Sequence, residues 1–219
     1  MEGSACPDVI STANNFIFIH IPKTGGNSLQ LLLEPYSDDR RCKTQPFHDL
    51  QERFDVVGDV TRHKHFTAAE YINVIGMQKF MSMRKIVFVR NPFHRAMSFY
   101  FSPFRWLKST GNTGAEPAYE FKKSDFLSFI ENIPIATSYV SYNNELIGFD
   151  FIGRYENFAT DARLALRLCR IPESEAASLP RINAGYDQKL DFYDDETIDA
   201  VRRIFHLDFV NFGYEFDFR

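Results

Sequence analysis

The chain has 219 residues, with 25 Lys and Arg against 29 Asp and Glu, and a formal net charge of −4 at pH 7. With 44 % hydrophobic residues, 23 Phe and 10 Tyr among its aromatics, a single domain over 1–219 with a full core is expected, preceded by a flexible segment over 1–15. The mild acidity excludes a general polyanion or nucleic-acid binder, no apolar run reaches membrane-spanning length, and Cys6, Cys42 and Cys169 lack the C-x-x-C spacing of a zinc site.

The first element in chain order is also the most telling. Phe16 to Ile21 (FIFIHI) reads as a strand covered on both faces, and Pro22 ends it because proline cannot donate to a ladder. Lys23-Thr24-Gly25-Gly26-Asn27 follows, and a helix is expected from Ser28 to Leu33. The glycines permit a sharp turn and close approach of an anion to the amides, and a helix N-terminus favours phosphate. An ordinary glycine turn is the plainer reading. Lys23 precedes both glycines, so the loop is not G-x-x-x-x-G-K-[ST]. His20 is expected to pack or bond within its strand.

Phe54 to Val60 (FDVVGDV) reads as a further buried strand. Thr67-Ala68-Ala69-Glu70 is a capping box opening a helix to about Ile75. Two histidines, His63 and His65, lie just before it; as bare sequence they are turn residues, metal ligands without an evident third partner, or a proton acceptor. Lys85 to Val89 is a third apolar run, followed by Arg90-Asn91-Pro92, with Asn91 suited to cap a helix and Pro92 to its first position. Phe93, Met97, Tyr100, Phe101 and Phe104 mark the apolar face of that helix, and Ser98 lies about two turns in. Arg90 and a hydroxyl suit a phosphate monoester, while Arg95 is open between a phosphate ligand and a structural ion pair.

The stretch from Ser102 to Ser124 is a long loop suited to acceptor recognition. A strand is expected near Phe149 to Tyr155 and a helix from about Phe158 to Arg170, whose Arg163, Arg167 and Arg170 form a solvated face. Arg181 to Tyr193 is a candidate lid. Asp194-Asp195-Glu196 opens a late helix with Ile198, Val201, Ile204 and Phe205 on one side. The alternation of strands and helices argues an α/β three-layer fold with a parallel sheet.

Two of these segments resemble known motifs. IPKTGG-x-S at 21–28 resembles the 5′-phosphosulfate loop of sulfotransferases that use 3′-phosphoadenosine 5′-phosphosulfate (PAPS), in the branch that includes carbohydrate 2-O-sulfotransferases, with Asn27 where Thr is usual. The stretch from Arg90 to Tyr100 is similar to the family's R-N-P-x-x-R-x-x-S-x-Y motif for the 3′-phosphate. The resemblance implies a P-loop-like sulfotransferase fold with a central, mainly parallel sheet flanked by helices. It implies binding of the co-substrate by Lys23, Thr24, Gly25, Gly26, Asn27, Ser28, Arg90 and Ser98, with Lys23 also serving catalysis at the leaving oxygen. Related enzymes carry a histidine before a T-A-x-E helix, which matches His65 better than His63 as the base. The other product would be adenosine 3′,5′-bisphosphate and no metal would be needed. The acceptor would carry a hydroxyl, with a carbohydrate preferred, and the absence of an anchor pattern argues a cytoplasmic enzyme without membrane insertion. GRYENF at 153–158 and FGYEF at 212–216 read mainly as core. A kinase with an atypical phosphate loop and a non-catalytic nucleotide-binding module are the alternatives.

Overall fold

The computed structural model describes residues 9–38, 65–101, 120–178 and 187–218. They group into two compact units, one spanning Met1–Val89 with Ala136–Ile182, the other Arg90–Ile135 with Asn183–Arg219. The strand expected over 54–60 and His63 lie outside the described residues, as do Cys6 and Cys42.

The first unit holds a mostly parallel sheet in the order β1 (Val9–Ser11), β2 (Phe16–Ile19), β3 (Arg84–Val89) and β4 (Phe151–Arg154). β2 pairs with β3 and β3 with β4 in parallel, placing Phe18 beside Ile86 and Ile86 beside Phe151. All four residues of β2 are fully buried, as a strand covered on both faces requires. Phe16 and Phe18 alternate onto a core shared with Leu29, Leu33, Phe88, Ala162 and Leu166, supplied by the helices Gly26–Leu33 and Phe158–Leu168. The Tyr71 hydroxyl, on the helix Ala68–Ile75, donates to the Phe18 carbonyl at 3.0 Å. The chain is thus a mixed α/β protein with a central, mostly parallel sheet flanked by helices.

β1 corrects the expectation of a flexible segment over 1–15 for residues 9–15; residues 1–8 lie outside the described residues. Val9 to Ser11 are buried and pair antiparallel with β2, Ile10 lying opposite Ile17. Two β-branched residues meet a ready strand edge, and a short turn ending at Asn15, with φ 56°, returns the chain. The capping box before Ala68–Ile75 forms as the spacing predicts: the Glu70 amide donates to Thr67 Oγ1 at 3.2 Å and the Thr67 amide to Glu70 Oε2 at 2.7 Å. A further helix, Met77–Ser82, was not evident from periodicity; Gly76, with φ 82°, separates it from its neighbour.

The second unit is helical among its described residues: Pro92–Tyr100, Lys123–Ile130, Asp195–Ile204 and His206–Phe212. Phe93, Met97, Tyr100, Phe126, Val201, Phe205 and Phe209 build its core. Tyr193, expected in a lid, belongs there too, since its hydroxyl donates to the Phe93 carbonyl at 2.8 Å and its ring meets Phe93 and Phe126 edge-on. Burial pushes that phenol well above its ordinary pKa. Lys123, at the end of the expected acceptor loop, starts a helix and pairs with Asp194 and Glu196; the rest of that loop before Glu120 is outside the described residues. Among the described residues, no helix is long and apolar enough to cross a membrane.

Candidate active site

The loop after β2 takes its shape from four residues. Lys23 sits at φ 69°, a left-handed conformation that costs a non-glycine residue roughly 1–2 kcal/mol and is commonest where function over-determines the backbone. Thr24 is fully buried and its hydroxyl donates to the Ile21 carbonyl at 2.8 Å, tying the loop to the strand end. That bond commits the hydroxyl hydrogen, so Thr24 has its backbone N–H rather than its side chain to offer an anion. Gly25 is the helix cap at φ 82°, and the helix starts at Gly26, two residues earlier than the periodicity predicts. The capping residue is a glycine, with no side chain of its own to cap the helix, and the first turn carries no acidic residue, which suits an anion from outside.

The two glycines serve different neighbours. A Cβ on Gly25 would come within 2.9 Å of Tyr155 and 3.2 Å of Phe158, besides the strain of its positive φ. A Cβ on Gly26 would collide with the ring of His20. Tyr155 and Phe158 belong to the GRYENF stretch read from sequence as core; their contact with the loop glycine was not legible there.

His65 lies at the start of the segment that leads into the capped helix, and its Nδ1 is 2.8 Å from the carbonyl oxygen of His20. A carbonyl only accepts, so Nδ1 carries the hydrogen and Nε2 is the basic nitrogen of the neutral ring. The two imidazoles also meet edge-to-face with centroids 4.5 Å apart. His20 is 2 % exposed, stacks on Phe18, and places Nδ1 at 3.0 Å from Gln30 Oε1. The loop after β2 and His65 therefore share one unit and are joined through His20.

In the second unit, Asn91 caps Pro92–Tyr100 by accepting from the Phe93 amide at 2.9 Å, with Pro92 at the first position as predicted. Arg90 and Ser98 are buried, at 6 % and 4 % exposure. Arg95 resolves the alternative left open by sequence. Its Nη2 donates to the Pro134 carbonyl at 2.9 Å, its Nη1 lies 3.7 Å from Asp208, and its guanidinium covers the Phe99 ring at 5.0 Å. Asp208 is itself 2 % exposed, so this pair is a strut of the helical unit.

A model of the sulfotransferase family matches residues 9–215, across the strands, the loop and both motif-bearing segments. The chain belongs to the sulfotransferase family. No curated protein and no solved structure matches it. Membership makes this sulfotransferase a transferase of sulfuryl groups. Of its expected site residues, Lys23, Thr24, Gly25, Gly26, Asn27, Ser28 and His65 fall in the first unit, and Arg90 and Ser98 in the second. Among the described residues no group of three His, Cys, Asp or Glu side chains is placed to hold a metal ion. Cys169 is buried in the apolar core, which pushes its thiol up to about 12 and leaves it inert.

Proposed function

We propose that this sulfotransferase is a PAPS-dependent O-sulfotransferase acting on a carbohydrate or another small hydroxyl-bearing acceptor. The observation that carries the reading is the bond from His65 Nδ1 to the His20 carbonyl, beside a loop whose helix is capped by a glycine. Whenever the His65 ring is neutral, that bond leaves Nε2 as the nitrogen able to take a proton.

The backbone amides of Gly26 and Asn27 and the Ser28 hydroxyl hold the phosphosulfate, and Lys23 balances charge on the oxygen that leaves. Arg90 and Ser98 recognise the 3′-phosphate. The acceptor oxygen forms a bond to sulfur as the bond from sulfur to the nucleotide phosphate oxygen breaks. The acceptor proton passes to His65 Nε2. The products are a sulfate ester and adenosine 3′,5′-bisphosphate, and no step requires a metal.

Thermal unfolding with added nucleotide tests the donor. Adenosine 3′,5′-bisphosphate at a hundredfold its Kd should stabilise by about 2.7 kcal/mol. Preferential stabilisation by ATP with Mg²⁺ would overturn the reading in favour of a kinase. Transfer of radiolabelled sulfate from PAPS to a panel of carbohydrates then distinguishes an enzyme from a binding module.

A further inference from the structure

We infer that His20 is a positioning residue that locks the phosphate loop and His65 into one assembly, with Gln30 as the pin that holds its ring. The inference rests on the reading of His65 as the base. Three contacts of one residue carry it. The His20 backbone carbonyl accepts from His65 Nδ1 at 2.8 Å, which selects the tautomer with a basic Nε2. The His20 ring meets the His65 ring at 4.5 Å, which limits how far His65 can rotate about that bond. The same ring lies against Gly26, so closely that a Cβ there would overlap it, and its Nδ1 faces Gln30 Oε1 at 3.0 Å.

Gln30 and Gly26 are both on the helix that begins at the phosphate loop, and Gln30 is fully buried. A buried amide and a buried imidazole bonded to each other are costly to separate, so the ring angle of His20 follows the helix. His65 in turn follows His20. The helix that would carry the donor's phosphate and the imidazole that would take the acceptor's proton are therefore held in register by one residue, through its ring and its carbonyl. Proximity effects are sensitive to such registration: a misplacement of about 1 Å can cost on the order of 10²-fold in rate. A histidine at position 20 reads as a core residue in sequence, and its burial does nothing to contradict that. What distinguishes it is that both its ring and its carbonyl are spent on the loop and on His65.

The experiment uses the full chain with ¹⁵N-labelled histidine. NMR correlations between ring nitrogens and ring hydrogens report the His65 tautomer, and calorimetry with adenosine 3′,5′-bisphosphate reports the loop. In the wild type, His65 should show a single Nδ1–H form when neutral. His20→Ala and Gln30→Leu both keep the position-20 carbonyl. The first removes the ring that limits rotation of His65 and the second unpins that ring, so in each the bond should loosen and the signature become a mixture of the two tautomers. The bisphosphate affinity should change by less than about threefold, because the amides remain. His20→Phe, which keeps a ring against His65 but loses the bond to Gln30, should fall between His20→Ala and the wild type. A His65 signature unchanged in both His20→Ala and Gln30→Leu overturns the inference. So does a loss of bisphosphate affinity in step with any spectral change, since that would make His20 a support of the loop alone. If His20→Ala fails to fold, Gln30→Leu and His20→Phe decide on the same readouts. A His65→Ala enzyme with undiminished transfer would instead remove His65 as the base, and the tautomer measurement would still judge the role of His20.

Discussion

The loop from Lys23 to Ser28 and the Arg90 segment both follow closely on a strand, and each contains a pair of like residues in unlike settings. Gly25 and Gly26 are adjacent, yet one supplies a positive φ and clears Tyr155, while the other makes room for His20. Arg90 and Arg95 sit in one motif, yet Arg95 is bound to Pro134 and Asp208 inside the helical core. The regions differ in how their polar groups are satisfied. In the loop, backbone carbonyls of the strand end receive Thr24 and His65, so shape is set by neighbours in sequence and by one capped helix. In the helical unit a buried charge is matched by another far along the chain. A fixed position in a motif therefore does not announce whether it meets the ligand or holds up the residue that does.

The largest effect should come from the loop side of that comparison. His65→Ala is expected to lower sulfuryl transfer by about 10²–10⁴, the usual worth of a general base, with nucleotide affinity nearly unchanged. The wild-type rate should rise with pH through the imidazole titration, and the variant should lack that limb. His63→Ala is the control two residues away. If His63→Ala proves the more damaging, the base is His63 and the bond from His65 to the His20 carbonyl is only structural.

The two arginines give the next test. Arg95→Met removes the guanidinium that faces the buried Asp208 carboxylate and should cost about 3–5 kcal/mol of stability in a denaturant titration. Adding Asp208→Leu should recover much of that loss. Arg90→Met should instead weaken discrimination between adenosine 3′,5′-bisphosphate and the 5′-monophosphate by about 1.5–3 kcal/mol, measured by calorimetry. An Arg95→Met protein of normal stability that no longer prefers the 3′-phosphate would reverse the assignment.

Much of this architecture was legible in sequence because it is local. Asn91 and Pro92 at a helix start, the Thr67–Glu70 box and the apolar run of β2 each need only a few neighbouring residues to declare themselves. β1 was not legible, since three residues become a strand only by pairing with β2, and Asp208 could not be matched to Arg95 without the helical core between them. The loop itself stood out by its glycines, but the reason for Gly26 is the ring of His20, and a histidine beside a buried strand carries no mark of that contact. Gln30 looked like any polar residue on a short helix, where no pattern sets a bonded glutamine apart from a solvated one.

Removing the cause of each glycine separately sharpens the contrast within the loop. Gly26→Ala forces a methyl into the His20 ring and should cost on the order of 1–3 kcal/mol, as overpacking does. Gly25→Ala should cost at least a comparable roughly 1–2 kcal/mol, from backbone strain at φ 82° together with the crowding of Tyr155 and Phe158, neither of which involves His20. The two are told apart by a second substitution. In a His20→Ala background the Gly26→Ala penalty should largely vanish while that of Gly25→Ala persists, a coupling that thermal unfolding of the double variants can measure. Equal penalties in both backgrounds would mean that His20 does not dictate Gly26.

The smallest effect belongs to the helical unit and is electrostatic. Asp194 caps Asp195–Ile204 by accepting from the Thr197 amide at 2.9 Å and takes a hydrogen bond from Lys123 Nζ at 2.7 Å. The bond from Lys123, with those from Thr197, lowers the Asp194 carboxyl from 3.8 to about 2, and the same contact raises the Lys123 ammonium. A carboxyl depressed on folding adds stability that is complete above its ordinary value and is lost as pH falls through its folded one, so the window runs from about 4 down to about 2. Both side chains are substantially exposed, so salt should weaken the contribution. Asp194→Asn keeps an oxygen for the cap but cannot titrate. Its stability should therefore fall less steeply with acid than that of the wild type across this window, and the difference should shrink at high ionic strength. Parallel acid-unfolding curves for the two proteins would show that the cap is held by the hydrogen bond to Thr197 alone, with the charge of Lys123 contributing nothing.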